Sequence, residues 1–149
     1  MPVSTTLRSS DQQQQRQRQR PALPAFNTER FALVPLDPEK LHELARVLLC
    51  DEHLAARLPW MKDKGGDAAA KEAFLLKLQC ASGTLDAWGI VERARAMFVG
   101  ALLARWSLEG IDVEVLCASQ FWDHGVADEA SEPVLAWLEH RIDAEAMSA

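Results

Sequence analysis

The sequence predicts an α+β fold in which a largely antiparallel sheet is flanked by helices. Apolar residues between positions 41 and 78 recur at the helical spacing of three and four, whereas those between 87 and 117 form three strand-like runs. Only short turns separate these runs, which favours antiparallel neighbours. The predicted order is therefore one strand, two or three helices, three strands, a helix and the start of a last strand.

The first half of the chain contains clear helix starts. Residues 31–36 form the first predicted strand, which ends at a Pro-Leu-Asp-Pro turn. Asp37, Asp51 and Asp67 each precede a helical pattern and can cap it. Residues 62–67 are predicted to form a loop. The helix positions predicted to pack in the core include Cys50, Ala70, Phe74, Leu75, Leu78 and Cys80.

The second half of the chain is predicted to form strands and then a helix. The three predicted strands are residues 87–91, 97–103 and 111–117. A loop follows at 119–125, and the helix after it contains Pro133. This helix either kinks at Pro133 or begins later with Ser131 as its cap. Residues 142–149 are predicted to begin another strand.

Composition and charge indicate a class of protein. The 149 residues carry a net charge of −6, and their number suits one globular domain. Residues 1–25 form a Gln/Arg-rich tail that is predicted to be disordered, because it has little apolar surface to bury. The predicted domain at 26–149 contains the acidic excess. An acidic domain disfavours binding to DNA and suits an amine-bearing partner.

The cysteines and the hydropathy of the chain indicate the kind of site and the cellular location to expect. The three cysteines are widely spaced and form no CxxC pair, which argues against a disulfide scaffold and a structural zinc site. No histidine has a matching set of metal ligands, so we expect no metal. No apolar run is long enough to span a membrane, and the first residues lack the pattern of a secretory signal. We therefore expect a reducing, cytoplasmic location and no membrane partner.

A glycine turn connects the last of the three strands to the helix. Gly125 follows a polar loop and immediately precedes the helical pattern. Such a turn places backbone N–H groups at the positive end of a helix dipole, which is a ready site for phosphate. A tight turn without a ligand is the alternative interpretation. A nucleophilic pair of Cys117 and His124 is allowed by spacing, but a buried structural Cys117 is the preferred interpretation.

The strand before the glycine turn carries two carboxylates on one face. Side chains alternate between the two faces of a strand, so residues two apart point the same way. Neighbouring carboxylates raise each other's pKa, which can produce a general base near neutral pH. A solvent-exposed strand face is the alternative. The two faces are Asp112, Glu114 and Leu116 on one side, and Val113, Val115 and Cys117 on the other.

Three segments of the chain carry a family resemblance. They are Asn-Thr-Glu-Arg-Phe-Ala-Leu-Val-Pro-Leu at 27–36, Ala-Arg-Leu-Pro-Trp at 56–60 and Phe-Trp-Asp-His-Gly-Val-Ala-Asp-Glu-Ala at 121–130. In this order they resemble the TERL-LRPL, YLPW and YWGKGYATEA segments of the GNAT superfamily of acyl-coenzyme A-dependent N-acetyltransferases. The resemblance extends over residues 27–149 and is greatest to the branch of ribosomal-protein alanine acetyltransferases. It implies a GNAT-like central sheet flanked by helices.

The resemblance implies an activity and a donor. An acetyl group would pass from acetyl-coenzyme A to a primary amine by direct attack, without a covalent enzyme intermediate. The acceptor would be a protein N-terminus or a small molecule, and the sequence does not identify it. The residues implied to bind the coenzyme pyrophosphate are Asp123, His124, Gly125, Val126 and Ala127. The residues implied to contact the pantetheine and the acetyl carbonyl are Leu116, Cys117 and Ala118.

The resemblance also implies the acceptor side of the site. Counting back from Trp122, the family's proton-accepting carboxylate falls on Asp112. Glu114 shares its strand face and is the second candidate for the base. Trp60 would help to line the acceptor side. No metal is implied.

The chain departs from the family pattern at several positions. His124 replaces the usual Lys or Arg, and Asp123 places a carboxylate beside the expected phosphate site. The chain ends where the family's next strand begins, so the last strand or strands are expected to be missing. The tyrosine that often serves as general acid is absent too, because the sequence contains no Tyr.

These departures leave two other interpretations open. One is a degenerate, non-catalytic GNAT-like domain that acts as a binding or interaction module. The other is a small α+β regulator in which the glycine turn binds nothing. A homodimer is a further possibility, in which a partner chain supplies the missing edge strand.

Overall fold

The computed structural model describes residues 22–61 and 67–148, with side chains up to residue 142. Residues 1–21 of the predicted tail and 62–66 of the predicted loop lie outside the described residues. Leu23 and Pro24, at the end of the predicted tail, already contact the domain. Leu23 packs against the core, and the indole Nε1 of Trp88 donates to the Pro24 carbonyl at 2.8 Å.

The described part of the chain folds into one five-stranded sheet flanked by helices. The strands follow the order β1-β2-β3-β4-β5, and every neighbouring pair is antiparallel. The α+β prediction is therefore confirmed. The strands are β1 (Phe26–Asn27), β2 (Phe31–Pro35), β3 (Leu85–Glu92), β4 (Met97–Ser107) and β5 (Gly110–Cys117). The helices are α1 (Pro38–Leu48), α2 (Glu52–Arg57), α3 (Ala68–Ser82) and α4 (Val126–Ser148), with a 3-10 turn at Ser119–His124.

The sheet separates two apolar layers. On one face, residues of α1, α2 and α3 pack on the strands, and Leu41, Ala45 and Ala73 are almost fully buried there. On the other face, α4 packs through residues that include Val134, and Trp88 is fully buried beneath it. Because each helix layer covers one face of the sheet, the loops at the two ends of the strands remain available for a site.

The helix starts follow the predicted caps in two of three cases. The Asp37 carboxylate accepts from the Lys40 N–H at 2.8 Å, and Asp51 accepts from the His53 and Leu54 N–H groups. Asp67 precedes α3 but makes no capping hydrogen bond with its side chain.

The predicted buried face of α3 is wrong. Ala70 is exposed, and Phe74, Leu75 and Leu78 are 46–47% exposed, whereas the buried positions are Ala68, Ala73 and Leu76. The helix carries apolar residues on every side, so periodicity alone cannot select the packed face. Cys50 is also exposed and Cys80 only half-buried, so the core assignment is wrong for Cys50.

The last helix also differs from the prediction. It begins at Val126, before the alternative start at Ser131, and it continues past Pro133. The predicted strand at 142–149 is wrong, because the helix extends to Ser148. The sequence from 134 to 148 contains neither Gly nor Pro and is rich in Ala, Leu and Glu, which favours continuation of the helix. No helix of the described residues is long and apolar enough to cross a membrane.

Candidate functional site

The backbone of β5 has a free edge in the described structure. Only β4 pairs with β5, and the Ala118 N–H donates to the Val99 carbonyl at 2.9 Å. Because hydrogen-bonded and non-bonded residues alternate in an antiparallel pair, the Leu116 backbone faces β4 and the Cys117 backbone faces the free edge. Consistently, a Cβ on Gly100 of β4 would lie 2.3 Å from the Leu116 oxygen. Of the predicted pantetheine-contacting residues, Cys117 therefore presents its N–H at this edge.

The end of β5 is fixed by an aromatic residue from the next turn. The Trp122 Nε1 donates to the Cys117 carbonyl at 2.9 Å. The Arg57 guanidinium of α2 lies 3.8 Å from the centroid of the Trp122 ring, a cation–π contact. The sequence indicates neither contact, because the first depends on the conformation of the turn after β5 and the second joins segments that are far apart in the chain.

Asp51 links the helix layer to the same point. One carboxylate oxygen caps α2, and the other accepts from the Ser119 N–H at 2.7 Å. Partial burial acts to raise the pKa of Asp51, but the bonds from Ser119 and from the N–H groups of α2 outweigh it, so the pKa is lowered. The sequence predicts only the capping role of Asp51, and its second role is to position the residues that follow β5.

The Cys117 thiol is not an activated nucleophile. Burial, together with the nearby Asp51 carboxylate, raises the pKa of Cys117 to about 11. Its Sγ faces the Ala118 carbonyl at 3.5 Å, and the His124 ring packs against Phe121 at a centroid distance of 6.0 Å. The thiol therefore stays protonated at neutral pH, which agrees with the structural interpretation of Cys117.

Gly125 adopts a left-handed backbone conformation immediately before the last helix. Gly125 has φ 69° and ψ 24°, a left-handed conformation that favours glycine, and α4 begins at the next residue. A Cβ at this position would meet the Arg30 Nη2 at 3.6 Å, so a guanidinium lies directly beside the turn. Of the other residues predicted to bind pyrophosphate, Asp123, His124 and Ala127 are exposed, and Val126 is buried.

A polar clamp joins two of the three resembling segments. Glu129, in the first turn of α4, accepts from the Thr28 hydroxyl, from the Arg30 N–H at 3.0 Å and from the Arg30 Nε at 2.7 Å. The Thr28 hydrogen bond and the contacts of Arg30 hold the pKa of the Glu129 carboxyl below its usual range, against a smaller opposing effect of burial. The clamp fixes the start of α4 against the start of β2.

We expect Glu129→Gln to lower the stability of the protein by about 1 kcal/mol, because a charged acceptor in three hydrogen bonds becomes neutral. The folded-state pKa is depressed, so the contribution of Glu129 is complete above the ordinary value of 4.5 and is lost as pH falls below it. Melting temperatures of both proteins measured from pH 7 to pH 3 should converge at the acid end. Glu132→Gln, an exposed position on the same helix, is the matched control. A constant difference across this range would contradict the assignment.

A cavity of about 330 Å³ opens beside the Gly125 turn. We call it the basic cavity, because three arginines from two turns of the sheet lie around it. Its floor is apolar and its rim is polar. The floor consists of Phe31, Phe121 and Val126, and the polar rim of Glu29, Arg30, Glu92, Arg93, Arg95 and His124; Ala94 also lines the cavity.

A second cavity, of about 410 Å³, lies on the face of β5 that is covered by α1, α2 and α3. We call it the acceptor cavity. It brings Trp60, Asp112 and Glu114 together, although Trp60 is more than fifty positions away in the sequence. Its remaining lining residues are Pro59, Glu72, Leu75, Leu76, Gln79 and Arg105.

The two carboxylates of the acceptor cavity have different surroundings. Glu114 accepts from the Trp60 Nε1 at 3.2 and 3.3 Å and from the Arg105 Nη1 at 2.8 Å. The Arg105 guanidinium also lies 5.6 Å from the centroid of the Trp60 ring. Asp112 is exposed and forms no hydrogen bond or ion pair within the described residues. The sequence correctly predicts that Asp112 and Glu114 share a face. It does not predict the contribution of Arg105, which depends on the pairing of Arg105 on β4 with Asp112 on β5.

The described residues contain no cluster of three or more His, Cys, Asp or Glu side chains that could hold a metal ion. The groups that the two cavities and the edge of β5 present are carboxylates, an indole, guanidinium groups and backbone N–H groups. Such groups can bind an anion, orient an amine and accept a proton.

Comparison with known proteins identifies the family of this arrangement. The family model described as an acetyltransferase (GNAT) domain matches residues 30–149. The chain belongs to the GNAT acetyltransferases. Acetyl transfer is the activity of this family, and the predicted resemblance and fold are confirmed at this level. No curated protein matches the sequence of this GNAT domain.

Solved structures of other GNAT proteins have the same fold. A probable GNAT-family acetyltransferase of Chromobacterium violaceum superposes with a TM-score of 0.61 at 19% identity, covering 80% of this chain and 63% of that one. A protein of Bordetella pertussis assigned to the same family gives 0.57 at 14% identity, covering 78% and 73%. The ribosomal-protein-S5-alanine acetyltransferase of Vibrio fischeri gives 0.54 at 13% identity, covering 77% and 67%. At these identities the likeness establishes the fold of the GNAT domain.

Proposed function

We propose that this GNAT domain binds acetyl-coenzyme A along the free edge of β5 and transfers the acetyl group to a primary amine in the acceptor cavity. The observation that carries the proposal is the convergence of Trp60, Asp112 and Glu114 beside a strand whose other end leads into the Gly125 turn. A binding module without catalysis would not need two carboxylates and an indole in one cavity next to that edge.

The coenzyme arm fits the backbone of β5. Amide groups of pantetheine can hydrogen-bond to an exposed strand edge in the way that an added strand does. The Cys117 N–H faces this edge, and the acetyl carbonyl would accept a bond there. Leu116 contributes through packing, since its backbone is directed towards β4, and Ala118 follows at the end of the strand.

The pyrophosphate fits the start of α4. The first N–H groups of a helix lack partners within it, and the helix dipole favours an anion there. Gly125, Val126 and Ala127 supply this backbone, while Asp123 and His124 flank it with exposed side chains. The Arg30 guanidinium beside Gly125 adds positive charge to this turn.

The transfer needs a group that accepts the first of two protons lost from nitrogen. A carboxylate takes one proton from the ammonium form through water, because Asp112 lies five residues, about 16 Å, before Cys117 on β5. The neutral amine attacks the thioester carbonyl, the carbon–nitrogen bond forms, the carbon–sulfur bond breaks, and the second nitrogen proton passes to the departing thiolate. We assign the base to Asp112, because Glu114 is already engaged by Trp60 and Arg105 and is suited to orienting the amine.

Acetyl transfer by the full chain is the direct test of this proposal. Thiol release from acetyl-coenzyme A should increase when primary amines, including N-terminal peptides and small amines, are added. A folded protein that binds the coenzyme but acetylates none of them would favour the non-catalytic alternative. The cytoplasmic location and the homodimer stay predictions that this assay does not address.

We expect Trp60→Phe to raise the KM for the amine about fivefold, because the variant keeps the aromatic ring but loses the donor that orients Glu114. The affinity for acetyl-coenzyme A should not change. Trp106→Phe is the matched control, since it removes an indole bond to Asp86, at 2.9 Å, outside the acceptor cavity. Equal KM values for the wild type and Trp60→Phe would remove Trp60 from the acceptor side.

A further inference from the structure

The basic cavity contains two arginines, Arg93 and Arg95, that the proposed pyrophosphate and acceptor sites do not use. Arg30 stands at the β1–β2 turn, and Arg93 and Arg95 stand in the β3–β4 turn. The antiparallel register brings both turns to the end of the sheet where β5 ends and α4 begins. Three guanidinium groups therefore converge on one cavity in a chain whose net charge is −6.

The arginines keep donors for a ligand. Arg30 uses its Nε for Glu129, Arg93 uses its Nη1 for the Thr28 and Glu29 carbonyls, and Arg95 uses its Nε for Glu92 at 3.3 Å. In each of the three arginines, these bonds use one guanidinium nitrogen. A guanidinium has five N–H donors on three nitrogens, so donors on the other two nitrogens remain for a ligand. These bonds also hold the side chains at the rim, which reduces the entropy lost on binding an anion.

The shape and polarity of the cavity fit a phosphorylated nucleoside. Phe31, Phe121 and Val126 form an apolar floor that suits a flat base, and the arginine rim suits a phosphate monoester. Its volume of about 330 Å³ is within the range of small-ligand sites. Two carboxylates, Glu29 and Glu92, also line the cavity and oppose an anion. The three guanidinium groups outnumber them, and the ion pair with Glu92 engages only the Nε of Arg95, so its Nη donors face no described partner.

We propose that the basic cavity binds the adenosine 3′-phosphate of the coenzyme through Arg93 and Arg95. The inference rests on the proposed function, because a pyrophosphate at the start of α4 would deliver the adenosine half of the coenzyme to the adjoining cavity. Val126 is the first residue of α4 and also lines the basic cavity. The arginines of the β3–β4 turn thereby add affinity for the coenzyme, which the glycine turn, with Asp123 and His124 in it, does not supply alone.

Calorimetry with two coenzymes and the full chain tests the proposal. Coenzyme A and 3′-dephospho-coenzyme A differ only in the phosphate monoester, and we expect the second to bind about tenfold more weakly. Arg95→Gln should lower the affinity for coenzyme A about fivefold and leave the affinity for the dephosphorylated form unchanged. Arg95 is exposed, so its replacement should not unfold the domain. Arg46→Gln, at an exposed position in the last turn of α1, should change neither affinity.

The outcomes separate this inference from the proposed function. Equal binding of both coenzymes by the wild type would overturn the 3′-phosphate site and leave the acetyltransferase proposal standing. A tenfold preference that survives both Arg95→Gln and Arg93→Gln would place the phosphate elsewhere and would also overturn it. Binding of neither coenzyme by the folded wild type would overturn both proposals together.

Discussion

Gly125→Glu is expected to reduce acetyl-coenzyme A affinity at least a hundredfold while the domain remains folded. The new carboxylate would stand at the start of α4, where the pyrophosphate needs backbone N–H groups and a positive field. The left-handed φ of 69° would add a modest strain of about 1–2 kcal/mol for any residue with a Cβ. Calorimetry and a melting curve on the same sample would measure both effects.

Two control variants separate charge from strain in this experiment. Gly125→Ala introduces the same backbone strain without charge, and we expect it to keep coenzyme affinity within about tenfold of the wild type. Gly110→Ala strains another positive-φ glycine, in the β4–β5 turn, where a Cβ meets no atom within 4 Å. Gly110→Ala should bind acetyl-coenzyme A as tightly as the wild type does. If folded Gly125→Glu binds acetyl-coenzyme A as tightly as the wild type does, the phosphate is not at this turn.

Asp112→Asn is expected to lower kcat at neutral pH by about a hundredfold or more, because it removes the group that accepts the amine proton. Coenzyme affinity should not change, since Asp112 lies on the acceptor-cavity face of β5. The deficit should shrink as pH rises towards the pKa of the amine, because free amine in solution no longer needs a base. Thiol release measured across pH with one amine would show this convergence.

Glu114→Gln provides the comparison for this assignment. Glu114 is bound by Trp60 and Arg105, so its replacement should mainly raise the KM for the amine and affect kcat less than Asp112→Asn does. Glu109→Gln, at an exposed position in the β4–β5 turn, is the control for a change of net charge. A larger loss of kcat in Glu114→Gln would transfer the role of base to Glu114. Unchanged rates in both variants would remove both carboxylates from the reaction.

The local features of the site could be predicted from the sequence because their periods are short. Alternation along β5 correctly placed Asp112 and Glu114 on the same face as Leu116, and that face lies towards α1 to α3. The turn at Gly125 was predictable from a lone glycine before a helical pattern, whereas its left-handed φ comes from the structure. Each of these predictions depends on neighbours within a few residues.

The remaining features depend on contacts between distant segments. Periodicity could not choose the packed face of α3, since Phe74 and Ala73 are adjacent apolar residues and only tertiary packing distinguishes them. The pairing of Arg30 with Glu129, and of Arg105 with Glu114, follows from strand register and the seating of α4. The basic cavity could not be predicted, because its arginines come from two separate turns.

The most direct test of the central claim is calorimetric titration of acetyl-coenzyme A into the full chain, with a parallel melting curve. We expect micromolar binding and a raised melting temperature, since a ligand at about 100 times its Kd stabilises the folded state by about 2.7 kcal/mol. A protein that melts cooperatively but gives no binding heat and no shift in melting temperature would contradict it. The free edge of β5 and the Gly125 turn would then not form a coenzyme site.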